Sequence, residues 1–203
     1  MIIVRFADDF VVGFEHEGDA RQFLTDLRER FAKFALELHP DKTRLIEFGR
    51  NAVRDRAARG VGKPETFDFL GFTHYCGTTK NGRFWLRRKT VTKRMRAKLK
   101  ALNVELKRRR HEPIPVQGQW LGSVVRGHLA YYAVPGNTDA VATFRTQVSR
   151  LWLRALRRRS QRHRLNWVRM DRLATKWLPP ARVQHPFPAQ RFAVRTRGRS
   201  PVR

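Results

Sequence analysis

The chain has 203 residues, 41% of them hydrophobic, and a formal net charge of +27 at neutral pH. It is long enough for one or two domains with a packed core; no apolar run nears the ~18 residues of a membrane-spanning helix, and no charged leader with an apolar stretch and cleavage site marks it for secretion. Its single cysteine, Cys76, excludes an internal disulfide and suits a reducing, cytoplasmic setting, and His74 with Cys76 is too isolated a pair for zinc.

The charge is unevenly placed. Residues 1–86 hold 14 Lys/Arg against 13 Asp/Glu, whereas residues 87–203 hold 30 against 4. A near-neutral first part and an intensely basic second part suggest two modules. The second repels itself unless it meets a polyanion, and solubility alone needs far less charge. Nucleic acid is the first partner implied; a membrane surface or a ribosomal assembly comes next.

Taken in order, Met1–Phe14 (MIIVRFADDFVVGF) sets two apolar, β-branched and aromatic runs around Asp8-Asp9, the pattern of a β-hairpin with the carboxylates at its tip. Asp is common in turns, which is one reading of the pair. The other is a metal site: adjacent like charges repel, a divalent cation relieves that, and hard oxygen ligands suit magnesium. From Gly18-Asp19 a helix is expected, with Phe23, Leu27, Phe31 and Phe34 recurring at three- and four-residue steps. Pro40 and Asp41 give a turn, and Arg44 to Phe48 alternates like a strand. Residues 49–66 are polar, basic and glycine-bearing, and read as a mobile connection. Phe67 to Phe72 has the apolar density of a buried strand, with Gly71 at a close backbone approach. Arg83 to Leu86 reads as the last strand.

After it the pattern is helical. Thr90 is a plausible N-cap for a helix with the stripe Val91, Met95, Leu99, Leu102 and Leu106. His111 to Pro115 breaks it. A second helix, from about Pro115, carries Trp120, Val124 and Tyr131 on one side. Pro135-Gly136-Asn137 ends that helix, and Thr138 or Asp139 caps a third with Val141, Phe144, Val148, Leu151 and Ala155. A fourth spans about Asn166 to Trp177, before a proline- and arginine-rich tail over 179–203. The stripes form a helix-bundle core. Arginine faces outside it offer bidentate phosphate contacts and stacking.

FADD resembles the Tyr/Phe-x-Asp-Asp box of reverse transcriptases, and its flanks, VRFADDFVV, resemble bacterial group II intron reverse transcriptase/maturases. LELHPDKTRLIEFGR is similar to the segment after that box, FDFLGF to the family's "FLGF" box, and GHLAYYAVPGN and LWLRALRRRSQRHRLNW to its thumb and maturase domain. The resemblance implies an α+β fold: a partial palm over 1–86, a helical thumb/maturase domain over 87–178 and the tail over 179–203. It implies Asp8 and Asp9 as catalytic magnesium ligands, and Phe6, Ala7 and Lys42 as nucleotide contacts. Phe69, Leu70, Gly71 and Phe72 become the primer support. The RNA-binding candidates are Lys93, Arg94, Lys98, Lys107, Arg108, Arg109, Arg110, Arg150, Arg154, Arg157, Arg158 and Arg159. The implied partners are intron RNA and an RNA template with a DNA primer.

Palm polymerases use two metal ions, which this family holds with a third carboxylate from an upstream strand. That strand and the fingers are missing here, as is the family's zinc-bearing endonuclease region. The expectation is therefore a C-terminal portion of such a protein: a relic, a mis-called start, or a piece completed by an N-terminal chain. Its ancestral reaction is RNA-directed DNA synthesis, with RNA binding as the surviving activity. The alternative is a non-catalytic basic RNA-binding protein with a vestigial hairpin. A DNA-binding module or ribosome-associated factor stands third.

Overall fold

The computed structural model describes residues 1–159 and 165–187. It is an α+β protein, as expected, and it divides into two compact units: Met1–Phe69 with Tyr75–Leu86, and Leu70–His74 with the described residues from Arg87 on.

The first unit opens on the hairpin, β1 (Ile2–Phe6) paired antiparallel with β2 (Asp9–Gly13) in a two-stranded sheet. The register runs from Ile2 opposite Gly13 to Phe6 opposite Asp9. The tip is therefore Ala7-Asp8, not Asp8-Asp9, and Ala7 takes the left-handed conformation (φ 50°) that lets a two-residue loop reverse the chain. Helix α1 (Glu17–Ala32) follows, its Phe23, Leu27 and Phe31 half-buried and the Phe23 ring tilted against that of Phe14 at 5.3 Å. Phe34, expected to continue the stripe, lies beyond the helix end and is exposed.

Two expectations fail in the next stretch. Arg44 to Phe48 is not a strand, because among the described residues no neighbouring strand pairs with it. Side chains pin it instead: Arg44 to Glu65 at 3.0 Å, and the Phe48 ring 5.0 Å from that of Phe67. Residues 49–66 are not a plain connection, for they contain α2 (Arg50–Ala58). Its alanines and arginines are good helix formers, Ala52 is buried, and Glu47 holds Arg59 at 2.5 Å and Arg56 at 3.5 Å. Gly60, at φ 68°, closes it: Gly60 N–H reaches Ala57 O and Val61 N–H reaches Arg56 O, the paired bonds of a Schellman ending.

A three-stranded sheet in the order β3 (Phe67–Phe69), β4 (Phe72–Thr78), β5 (Phe84–Thr90) completes the strands, and β4 and β5 contribute residues to both units. The single buried strand expected over Phe67–Phe72 is broken at Leu70-Gly71, whose φ values of 49° and 77° make a tight reversal.

The second unit is a helical bundle of α3 (Thr92–Arg108), α4 (Ile114–Tyr132), α5 (Thr138–Arg157) and α6 (Trp167–Trp177). Its core joins Leu102 and Leu106 of α3, Leu121, Val125 and Leu129 of α4, Phe144, Val148, Trp152 and Leu156 of α5, and Met170 and Ala174 of α6. The buried face of α4 is thus turned one residue from the expected Trp120–Val124–Tyr131 side. Apolar residues surround that helix, so its own pattern does not choose a face. Gly118 and Gly122 choose it: a Cβ on Gly118 would lie 2.5 Å from the Trp177 ring, and one on Gly122 2.6 Å from Trp177 O. Thr90 does not cap α3. Its N–H and hydroxyl are bonded to the buried Asn137 side chain, each at 2.9 Å, while Val91 precedes the helix. Asn137 precedes α5, where Thr138 or Asp139 was expected, and Asn166 caps α6 by accepting from Arg169 N–H at 2.9 Å. Of the tail, residues 179–187 run as irregular chain, with Gln184 N–H donating to Ala133 O at 2.8 Å; residues 188–203 lie outside the described residues.

Candidate functional site

The carboxylate hairpin follows from its sequence. Val, Ile and Phe favour extended backbone, and the loop throws Asp8 into the turn and Asp9 onto the first position of β2. Both are exposed, and neither takes part in an ion pair among the described residues. Arg5 Nε donates to Ala7 O at 2.9 Å, bracing the loop from the strand side. No group of three His, Cys, Asp or Glu side chains gathers here or elsewhere among the described residues. Two exposed carboxylates suit one magnesium ion whose remaining ligands are water and phosphate. They do not by themselves make a two-metal centre. The hairpin is also bare on its apolar side: Ile2 is 73% and Phe6 63% exposed, and among the described residues β1 pairs with β2 alone.

Lys42 is exposed on the turn after Pro40, its backbone N–H on His39 O at 3.2 Å, and its ammonium has no hydrogen bond or ion pair among the described residues. Phe69 and Leu70 are half-buried. Gly71 and Phe72 are enclosed within the second unit. The Phe72 ring stacks on Tyr131 (5.8 Å) and meets Tyr132 edge-on (5.2 Å), and Tyr131 Oη donates to Leu70 O at 2.8 Å. The close approach expected at Gly71 is present: an added Cβ would lie 2.9 Å from Tyr132 Oη and 3.2 Å from an Arg94 guanidinium nitrogen.

The basic side chains of the second unit divide by what they touch. Lys93, Arg94, Lys98, Lys107, Arg150, Arg154, Arg157 and Arg158 are exposed. Arg109 is held by Glu105 at 2.7 Å and Glu112 at 3.3 Å, which raises its pKa further, and lies 4.9 Å over the Trp120 ring. Arg108 shares Glu105 at 3.4 Å. Arg110 is half-buried, and Arg159 donates to the carbonyls of Arg110 and Glu112, bracing the turn after α3 together with Gln117. Arg145 does the same for α6, donating to Ala174 O and Pro179 O.

An open groove of about 560 Å³ runs beside α5, lined by Thr146, Arg150, Leu153, Arg154, Arg157 and Trp167. Trp167 was not among the sequence candidates. Its one signal is an indole directly after the capping Asn166, a position that faces outward at a helix start. His128, also unforeseen, is buried with its ring 3.7 Å from that of Phe144; burial, with the charge of Lys98, pushes its pKa down to about 4. Among the described residues no helix is long and apolar enough to cross a membrane.

No curated protein and no solved structure matches the chain. The family model of the reverse transcriptase (RNA-dependent DNA polymerase) matches residues 1–74, so the stretch from β1 through the Phe69–Phe72 turn is similar to that polymerase domain.

Proposed function

We propose that the chain is an RNA-binding protein of the group II intron reverse transcriptase/maturase type. The observation that carries the reading is a conjunction. A reverse-transcriptase match covers the Asp8-Asp9 hairpin, and the second unit exposes nine of the twelve candidate cations. Such a surface neutralises phosphates and releases counterions, the main source of affinity for nucleic acid.

Within this reading Asp8 and Asp9 bind magnesium, and Phe6, Ala7 and Lys42 face the incoming nucleotide's phosphates. Phe69 and Leu70 lie toward the primer while Gly71 and Phe72 anchor the turn on Tyr131 and Tyr132. Magnesium supplies charge for phosphoryl transfer; the chain supplies two carboxylates, and a complementing N-terminal palm segment supplies the third. The bare apolar side of β1 supports that addition. The second reading, a non-catalytic RNA binder with a vestigial hairpin, is favoured by one observation: no third ligand stands beside Asp8 and Asp9 among the described residues.

Filter binding of the full chain to a group II intron RNA, against an unrelated structured RNA of equal length, tests the proposal. Preference for the intron RNA is expected. Equal binding removes the maturase assignment, and absence of binding at low salt removes RNA binding itself.

A further inference from the structure

We propose that the groove beside α5 binds an unpaired stretch of RNA, with Arg150, Arg154 and Arg157 on successive phosphates and the Trp167 indole stacked on a base. The inference rests on the RNA-binding reading and assigns it a place and a strand type.

The geometry comes from the helix period. Steps of four and three residues put the three arginines on one face of α5, and at 1.5 Å per residue they spread over about 10 Å. That spacing lines charge along a track instead of gathering it around one small anion. Arg150 and Arg154 have no hydrogen bond or ion pair among the described residues, and no Asp or Glu lines the groove. Arg157 is fixed: its Nε donates to Leu165 O at 2.7 Å, tying it to the residues just before the indole.

Trp167 is 44% exposed and lines the groove together with the apolar side chain of Leu153. Its backbone is fixed by the two residues before it, buried Leu165 and the capping Asn166, whose side chain accepts from Arg169 N–H at 2.9 Å. A half-open, rigidly mounted indole beside guanidinium groups is what base stacking requires, because every base offers a π-face and Arg adds the phosphate contact. A duplex hides those faces inside its stack, so it can use the arginines but not the indole.

The test is fluorescence anisotropy of the full chain with a short uridine-rich RNA strand, the same sequence as a duplex, and the matching DNA strand. Trp167→Ala is expected to weaken single-strand binding about tenfold, the scale of one lost stack, and to leave the duplex unchanged. Trp167→Phe keeps an aromatic face and should recover most of the loss, which separates stacking from any damage to α6. Arg150→Ala with Arg154→Ala should weaken strand and duplex alike. Wild-type binding to both RNAs with Trp167→Ala indistinguishable on the single strand overturns the stacking site and leaves RNA binding standing. No wild-type binding to any RNA overturns both. A DNA strand bound as tightly as the RNA strand overturns the restriction to RNA.

Discussion

Replacing Arg150 and Arg154 by alanine probes how much of the charge works as an interface. Of the twelve basic candidates, nine are exposed, and with Arg108 paired to Glu105 eight of them stand outside any ion pair among the described residues: Lys93, Arg94, Lys98 and Lys107 on α3, and Arg150, Arg154, Arg157 and Arg158 on or just after α5. Each phosphate contact to a single strand contributes about −0.7 to the slope of log affinity against log salt. The four α5 arginines alone give a slope of about −2.8, a loss of about 50-fold between 50 and 200 mM salt. Engagement of all eight gives about −5.6 and a loss of about 2,000-fold. The double variant removes two contacts, so its slope should flatten by about 1.4. Anisotropy titrations at four or more salt concentrations read the slope directly. A slope near zero in the wild type, or one the double variant leaves unchanged, refutes the argument that these exposed cations meet phosphate.

The remaining predictions concern the fold and the carboxylates. His128 is held near pKa 4 in the folded chain against an ordinary value of 6.5. The unfolded chain therefore binds the extra proton first, and stability present above pH 6.5 is lost as pH falls toward 4, by roughly 2–3 kcal/mol. Thermal melts from pH 7 to 4.5 should show that loss, and His128→Phe should flatten it; an equally steep loss in the variant counts against the assignment. Gly118→Ala drives a methyl into the Trp177 ring and should cost about 1–3 kcal/mol, read as a lower urea midpoint. Hydrogen exchange should be fast across Ile2–Phe6, because a two-stranded sheet is marginal in water, and slow in α4 and α5; strong protection of β1 in a monomer contradicts that reading. The chain alone should not extend a primed RNA template with magnesium and nucleotides, whereas a supplied N-terminal palm portion should restore extension that Asp8→Asn or Asp9→Asn then abolishes. Extension by the unaided chain, lost in Asp8→Asn, would overturn the need for a third carboxylate.

The bundle was legible where periodicity was unambiguous. Leu99, Leu102 and Leu106 on α3, and Phe144 and Val148 on α5, stand against polar faces, and both helices form with those residues inward. On α4, the side was settled by two glycines meeting Trp177, a long-range fit that no local pattern encodes. The strand over Arg44–Phe48 had the right alternation and failed because a strand needs a partner. Helix α2 was hidden by its flanking glycines, although Gly60 was a stop signal of the usual kind. At the site, composition identified the arginines but not their partners. Arg109 and Arg159 read like Arg150 in sequence; Glu105, Glu112 and the carbonyls of the turn after α3 distinguish them only in three dimensions.

That distinction bears on how the protein holds together at so high a charge. Arg145 donates to Ala174 O in the last turn of α6, where the negative end of the helix dipole favours a cation, and Arg159 donates to carbonyls of the turn that follows α3. Removing Arg145 takes the donor from Pro179 O, and removing Arg159 leaves Arg110 O and Glu112 O to Gln117 alone, so both changes should cost stability whether or not RNA is present. Arg150 and Arg154 close nothing among the described residues, so in the free protein they contribute mainly repulsion. Alanine at these two positions should therefore leave the melting temperature unchanged or raise it, while weakening RNA binding. One residue type is thus divided between fold and interface by position alone. The same division holds in the first unit, where the carboxylates of Asp8 and Asp9 make no hydrogen bond or ion pair among the described residues. Relieving their mutual repulsion by Asp8→Asn should be neutral or mildly stabilising, as expected of side chains present for chemistry and not for the fold.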